Sequence, residues 1–276
     1  MGRAAGDVVI ADVARESANE VLRELKAMGL DRNGSIALDA VGVALSSRGS
    51  EAEKAAPGAG DDAVVWEEIE QRTGEESRLS VTFLLFLSIA TVIAGIGVLL
   101  DQPILIVGAM VVGPEFGPLA ALSVGVIRRR PRVIGRSLLA LTVGFAVAIV
   151  VTVLSTLALN AGGLVTREML LGARPLTDFI WRPDALSWVI AFLAGIAGIL
   201  SLTTAKSGAL IGVLISVTTV PAAGNVAVAI AYGVPDEAWG SALQLGINLG
   251  AIATAGILTL AVQRWLSRRR RPAARA

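Results

Sequence analysis

One carboxylate interrupts an otherwise uncharged run of this chain: Glu115, within Gly113-Pro114-Glu115-Phe116-Gly117-Pro118. It is the fourteenth of the 26 residues spanning 102–127, close to the middle of that run. Proline has no amide to donate, so Pro114 and Pro118 free the carbonyls of Met110 and Pro114 from helical bonding. Gly113 and Gly117 relax the backbone at the same two places. A second interruption, Ser216-Val217-Thr218-Thr219-Val220-Pro221, is followed by Gly224-Asn225. Ser216, Thr218, Thr219 and Asn225 offer hydroxyl and amide oxygens. Added to one carboxylate, they suit a small hard cation better than a transition metal. Helices beginning near Pro118 and Pro221 would instead favour an anionic group at their N-termini. The residues leave both readings open, and they also leave Glu115 as either a proton carrier or a paired structural residue.

Much other chemistry is excluded. The 276 residues contain no cysteine and no histidine, which removes disulfides, thiolate catalysis, Cys/His zinc sites and His-based triads. Lys206-Ser207 is preceded by Ala205 where a phosphate-binding loop needs glycine. No cofactor or metal-ligand motif is present, and Glu115 has no evident nucleophilic partner, so the chain is not expected to be an enzyme. Any transport would be secondary or passive.

Such a carboxylate needs elements that keep it inside the bilayer. Apolar residues make up 54% of the chain and charged residues 17%, too few charges to cover a water-facing surface. Six nearly uncharged stretches, 81–100, 102–127, 137–166, 185–205, 207–235 and 238–263, each reach the ~20 residues that cross a bilayer as a helix. Helices are the form that satisfies the backbone there. Threading six spans alternately puts Lys206, five arginines of 128–136 and six from Arg264 onward on one side. Three arginines, Arg167, Arg174 and Arg182, fall on the other. The bias predicts that both termini are cytoplasmic. The interruptions occupy the middle span of each half. With three spans per half, this predicts two inverted three-helix repeats with broken second and fifth helices, a plan of secondary transporters. Gln244 and Asn248 are expected to hydrogen-bond between helices. Ala140, Gly144, Ala148 and Thr152, and again Ala242, Gly246, Gly250 and Thr254, form small-residue stripes that permit close packing within the chain or between copies.

The N-terminal part is different. Residues 1–78 carry 9 basic and 16 acidic side chains, whereas the remainder carries 15 and 7. Residues 7–13 read as a strand, 15–28 as an amphipathic helix and 34–45 as a second strand. Together they predict a small cytoplasmic α/β (βαβ, ferredoxin-like fragment) domain over 1–47. A linker over 48–60 follows, then an acidic amphipathic helix over 61–78, the membrane domain over 79–266 and a basic tail over 267–276.

Gly108-Ala109-Met110, with Pro114 and Pro118 beyond it, resembles the GAM-x-x-x-P-x-x-x-P signature of a prokaryotic "hydrophobic domain" membrane family, a domain of unknown function (number three-eight-nine). The run Ser207-Gly208-Ala209 through Pro221 is similar to its second signature, and the likeness covers approximately residues 80–265. This chain departs from the pattern at Gly113, where many relatives have serine, and at Glu115, where they have an apolar residue. It also has Ala222 where they have a second proline. The resemblance implies a membrane protein and supplies neither substrate nor mechanism. The sequence thus predicts a multi-pass protein of a prokaryotic cytoplasmic (inner) membrane, a homo-oligomer (dimer or trimer) with lipid around it and no nucleic-acid partner. It would be a secondary transporter or channel-like permease for a small solute or ion, with its site between the paired breaks. The alternative is a membrane-tethered sensor or scaffold acting through its cytoplasmic part.

Overall fold

The computed structural model of the protein describes residues 8–39, 65–203 and 219–269. Among them every regular element is helical: α1 (Ala18–Ala27), α2 (Leu30–Asn33), α3 (Trp66–Glu76), α4 (Val81–Leu99), α5 (Pro103–Val112), α6 (Phe116–Ile127), α7 (Pro131–Ala161), α8 (Arg167–Leu171), α9 (Ala185–Thr203), α10 (Val220–Ala231) and α11 (Pro235–Arg269). Two short 3₁₀ turns complete the set, Arg15–Ser17 and Asp178–Ile180.

The predicted α/β domain is not there. No strand forms among the described residues of 7–13 and 34–45; Val8, Val9 and Ile10 stand open to solvent at 86–89% exposure. Two strands alone make a ribbon of marginal stability at best, and among the described residues the two segments do not pair. What forms instead is helical: α1 buries Ala18 and Leu22 against Val65 at the start of α3, with Ile36 alongside. The linker over 48–60 and the tail beyond residue 269 lie outside the described residues.

The expected span count also needs correction. Four helices, α4, α7, α9 and α11, are long and apolar enough to cross a membrane, and α5 with α6 makes a fifth if that bent pair is one span. The twelve residues of α10 extend about 18 Å at ~1.5 Å per residue, less than the apolar layer, and residues 204–218 before them are outside the described set. Six full spans in two inverted triplets are therefore not what these helices show. In length and apolar composition these helices are nonetheless compatible with a membrane protein. Ile104, Val107, Val111, Val150, Leu154 and Leu193 lie on the outer surface, as large apolar side chains do where lipid replaces water.

Local sequence sets the corners. The Ser80 hydroxyl accepts the Phe83 amide at 3.0 Å and caps α4. Three turns then share one device, a left-handed residue followed two positions later by the proline that opens the next helix: Asp101 and Pro103, Arg129 and Pro131, Gly233 and Pro235. At each, the amide after the left-handed residue bonds back to a carbonyl five residues earlier, at 2.8–2.9 Å. This satisfies the helix end while Pro presets the next start.

At the centre lies α10, whose residues from Val220 to Ala229 are all buried. It packs against α4, α7 and α11. Its sequence, Val-Pro-Ala-Ala-Gly-Asn-Val-Ala-Val-Ala, explains how: with so few bulky side chains, neighbours approach from every side. The backbone at Gly224 comes so near α4 that a Cβ there would stand 2.8 Å from the Gly95 amide nitrogen and 3.0 Å from the Thr91 carbonyl oxygen.

Candidate functional site

The break after α5 falls where the prolines place it. Helix α5 ends at Val112, Gly113 turns extended at φ −65° and ψ 125°, and α6 resumes at Phe116 with a bend of 53° between the two. The residue before a proline is steered out of the helical region, so Gly113-Pro114 is the break itself. Pro118 breaks nothing. It lies in the first turn of α6, where an amide would have no intrahelical partner in any case. Pro221 occupies the same kind of position in α10. Both prolines mark helix starts inside the protein.

Glu115 is the residue immediately before α6 and is 1% exposed. Its side chain does not cap its own helix. Instead Oε1 accepts a hydrogen bond of 2.7 Å from the hydroxyl of Thr219, the residue immediately before α10. The two interruptions read from the sequence therefore meet: one carboxyl joins the starts of two buried helices. Both helix N-termini are positive ends of their backbone dipoles, which favours a carboxylate between them. The group that occupies these helix starts is thus the chain's own carboxyl.

Of the other residues expected at the site, Gly113 and Pro114 form the break, Gly117 and Pro118 lie in the first turn of α6, and Pro221 lies in the first turn of α10. Ser216 and Thr218 lie outside the described residues. Asn225 is buried but turns to a different cluster. Its Oδ1 accepts from Arg174 Nη1 at 3.4 Å, and its Nδ2 donates to Glu237 Oε1 at 3.0 Å and to Ser241 Oγ at 2.7 Å. Arg174 and Glu237 form an ion pair at 2.5 Å, with the side chains 4% and 7% exposed.

Arg174 and Glu237 both lie in connectors between the apolar stretches, so their burial as a pair does not follow from charge placement alone. The connector itself carries Arg174 inward. Asp101, at the left-handed turn after α4, accepts the Thr177 hydroxyl at 2.9 Å and the Leu176 amide at 3.2 Å. This folds residues 174–177 over the turn and turns the guanidinium towards α10. A usable signal was present: Glu237, Ser241, Gln244 and Asn248 recur with helical spacing.

At the arginine-rich end, α3 docks on α6. Glu70 pairs with Arg128 and, at 3.7 Å, with Arg130, and Arg128 lies over the Trp66 ring at 5.8 Å. Arg264 of α11 donates to the Ile127 carbonyl at 2.6 Å.

The model of the family described as "Domain of unknown function (DUF389)" matches residues 110–254, just over half of the chain, and takes in both Glu115 and Thr219. An uncharacterized protein of Methanocaldococcus jannaschii is 26% identical over 207 residues, which are 73% of this chain and 62% of that protein. The chain thus spans less than two thirds of that relative's length. No solved structure matches the chain.

Proposed function

The chain belongs to the DUF389 family, and on that footing we propose that it is a secondary transporter or channel-like permease of a cytoplasmic membrane, moving a small solute or ion past the Glu115–Thr219 contact. One observation carries the reading: a carboxyl 1% exposed, bonded across a sequence distance of 104 residues, sits where two helices begin inside the protein. Helix starts and irregular backbone at membrane depth are tolerated where protein or a wet cavity covers them, and ionisable groups there mark substrate or proton routes. Both termini face the cytoplasm, and neither a nucleotide nor a catalytic reaction drives the process. Copies associate through the small-residue stripe of α11, whose Ala242, Gly246, Gly250 and Thr254 all face outward. The matching stripe of α7 is consumed inside the chain, where Gly144 meets Phe83 and Leu87.

The test is flux. Purified protein reconstituted in liposomes is expected to dissipate an imposed gradient of protons, alkali cations or small organic solutes faster than protein-free vesicles. If a broad panel of such gradients stands unchanged, transport is refuted. The sensor reading then takes its place, provided that deleting residues 1–78 abolishes the cellular phenotype of the gene.

A further inference from the structure

The face that α11 turns to α10 is polar over a long stretch. Glu237, Ser241, Gln244 and Asn248 follow at intervals of four, three and four residues, which puts them on one side of a helix, and all four are buried. That this side meets α10 follows from Asn225, which bonds Glu237 and Ser241 directly. Gln244 continues the line by donating to Asn248 Oδ1 at 3.3 Å.

The hairpin geometry fixes where the line ends. Helices α10 and α11 run antiparallel about the turn at Gly233, with Asn225 opposite Ser241. From Asn225 back to Thr219 is about 9 Å along α10, and from Ser241 on to Asn248 about 10.5 Å along α11, at ~1.5 Å per residue. Asn248 therefore stands level with Thr219 and with the Glu115 carboxyl bonded to it. One polar seam runs from the Arg174–Glu237 pair to the Glu115 site.

The atoms along it define what it would take. Gln244 Oε1 and Arg174 Nε are buried and find no hydrogen-bond partner among the described residues. The Arg174 charge is met by Glu237 at 2.5 Å. Beyond that pair the ionisable group among the described residues of the seam is a second carboxyl, Glu115, and the acceptors are oxygens of Ser241, Gln244 and Asn248. Hard oxygen donors with carboxylate charge suit a small hard cation, and among the described residues of the seam an anion would meet no positive charge beyond the one that Glu237 already pairs.

We propose that the seam between α10 and α11 is the route of a small hard cation between the Glu115–Thr219 site and the Asp101-bearing end of the molecule, with the Arg174–Glu237 pair closing that end. This rests on the reading of Glu115 as part of a permeation path, and it adds the route and the sign of the charge.

The cysteine-free chain makes the test direct. Ser241→Cys, Gln244→Cys and Asn248→Cys are each made in the full chain and reconstituted in liposomes. Leu243→Cys and Leu258→Cys serve as controls, their native side chains being 47% and 50% exposed on the outer surface. Each is treated with a membrane-impermeant methanethiosulfonate carrying trimethylammonium or sulfonate. At Ser241 and Gln244 the cationic reagent is expected to react at least about tenfold faster than the anionic one, because a passage of one sign concentrates the opposite charge. The lipid-facing controls stay unmodified, since the thiolate that reacts does not form in hydrocarbon.

Modification at none of the three seam positions overturns the proposal, as does an anionic reagent that matches the cationic one. Ser241→Cys changes one atom, so a poorly folding Gln244 variant does not remove the test. Modified seam positions in a protein whose flux ignores Glu115→Gln would uphold the seam and place the failure at Glu115. Flux that depends on Glu115 beside an unmodified seam would refute the seam alone.

Discussion

At the scale of single residues, the Glu115–Thr219 contact decides most. A carboxyl at 1% exposure survives because a hydroxyl donor and two helix starts surround it. Thr219→Val keeps the side-chain shape and removes the donor. It is expected to lower stability by about 1–3 kcal/mol, measured as a thermal midpoint in detergent, while Thr219→Ser restores it. The Arg174–Glu237 pair is a harsher case, since removing one member strands the other charge. Glu237→Leu alone is expected to cost about 3–5 kcal/mol, and Arg174→Met with Glu237→Leu much less than the sum of the two single changes; a double-mutant cycle of unfolding free energies checks this. At the surface, Asp184 accepts the Ser187 hydroxyl and amide, each at 2.7 Å. The hydroxyl bond and then the amide bond hold its carboxyl below the usual aspartate value of 3.8. A carboxyl depressed by folding stabilises above its unfolded pKa and loses that contribution as the pH falls through its folded one. Asp184→Ala is therefore expected to lower the thermal midpoint at neutral pH, and the difference from the unaltered protein should close below about pH 4.

At the scale of elements, α10 and its neighbours carry the design. Ten buried residues in a row leave no face for bulk, and Gly224 is the tightest point of the contact with α4. Gly224→Ala would press a methyl against the Gly95 amide and Thr91 carbonyl, backbone atoms that cannot rotate away. The expected loss is about 1–3 kcal/mol. Gly135→Ala in α7, which meets nothing within 4 Å, is expected to be neutral or to gain a few tenths through helix propensity; parallel unfolding of the two variants separates packing from propensity. How much of this the sequence revealed depended on how local the signal was. The break at Gly113-Pro114 was legible because proline acts on its own neighbours. That Thr219 would be the partner of Glu115 was only suggested by two interruptions of similar place, because a hydrogen bond between residues 104 apart has no local signature. The strands expected over 7–13 and 34–45 failed for the converse reason: alternating apolar residues favour a strand only when another strand or a core receives them. The inward turn of Arg174 has no local signature either, because position in a connector says nothing about which way a loop folds.

At the scale of the whole molecule, the near-zero net charge conceals two oppositely charged parts that touch. The acidic α3 reaches the basic end of the membrane helices through Glu70, with Arg128 and Arg130, while Lys26 and Arg15 tie α1 and its leading turn to α3 through Glu67 and Glu68. This end and the end bearing Asp101 and Glu237 should lie on opposite sides of the membrane. Cysteines placed at Arg130 on one hand, and at Glu168 and Asp236 on the other, are accordingly expected to react with an impermeant reagent from opposite faces; labelling of all three from one face would refute the orientation. The most direct test of transport through the Glu115–Thr219 site is the rate of cation or proton flux into liposomes holding the unaltered protein or Glu115→Gln. Glutamine retains an oxygen for the Thr219 hydroxyl and removes the charge, so the fold should persist while flux falls at least about tenfold, the equivalent of some 1.4 kcal/mol in the barrier. Equal rates in the two preparations, from proteins of equal thermal stability, would contradict it.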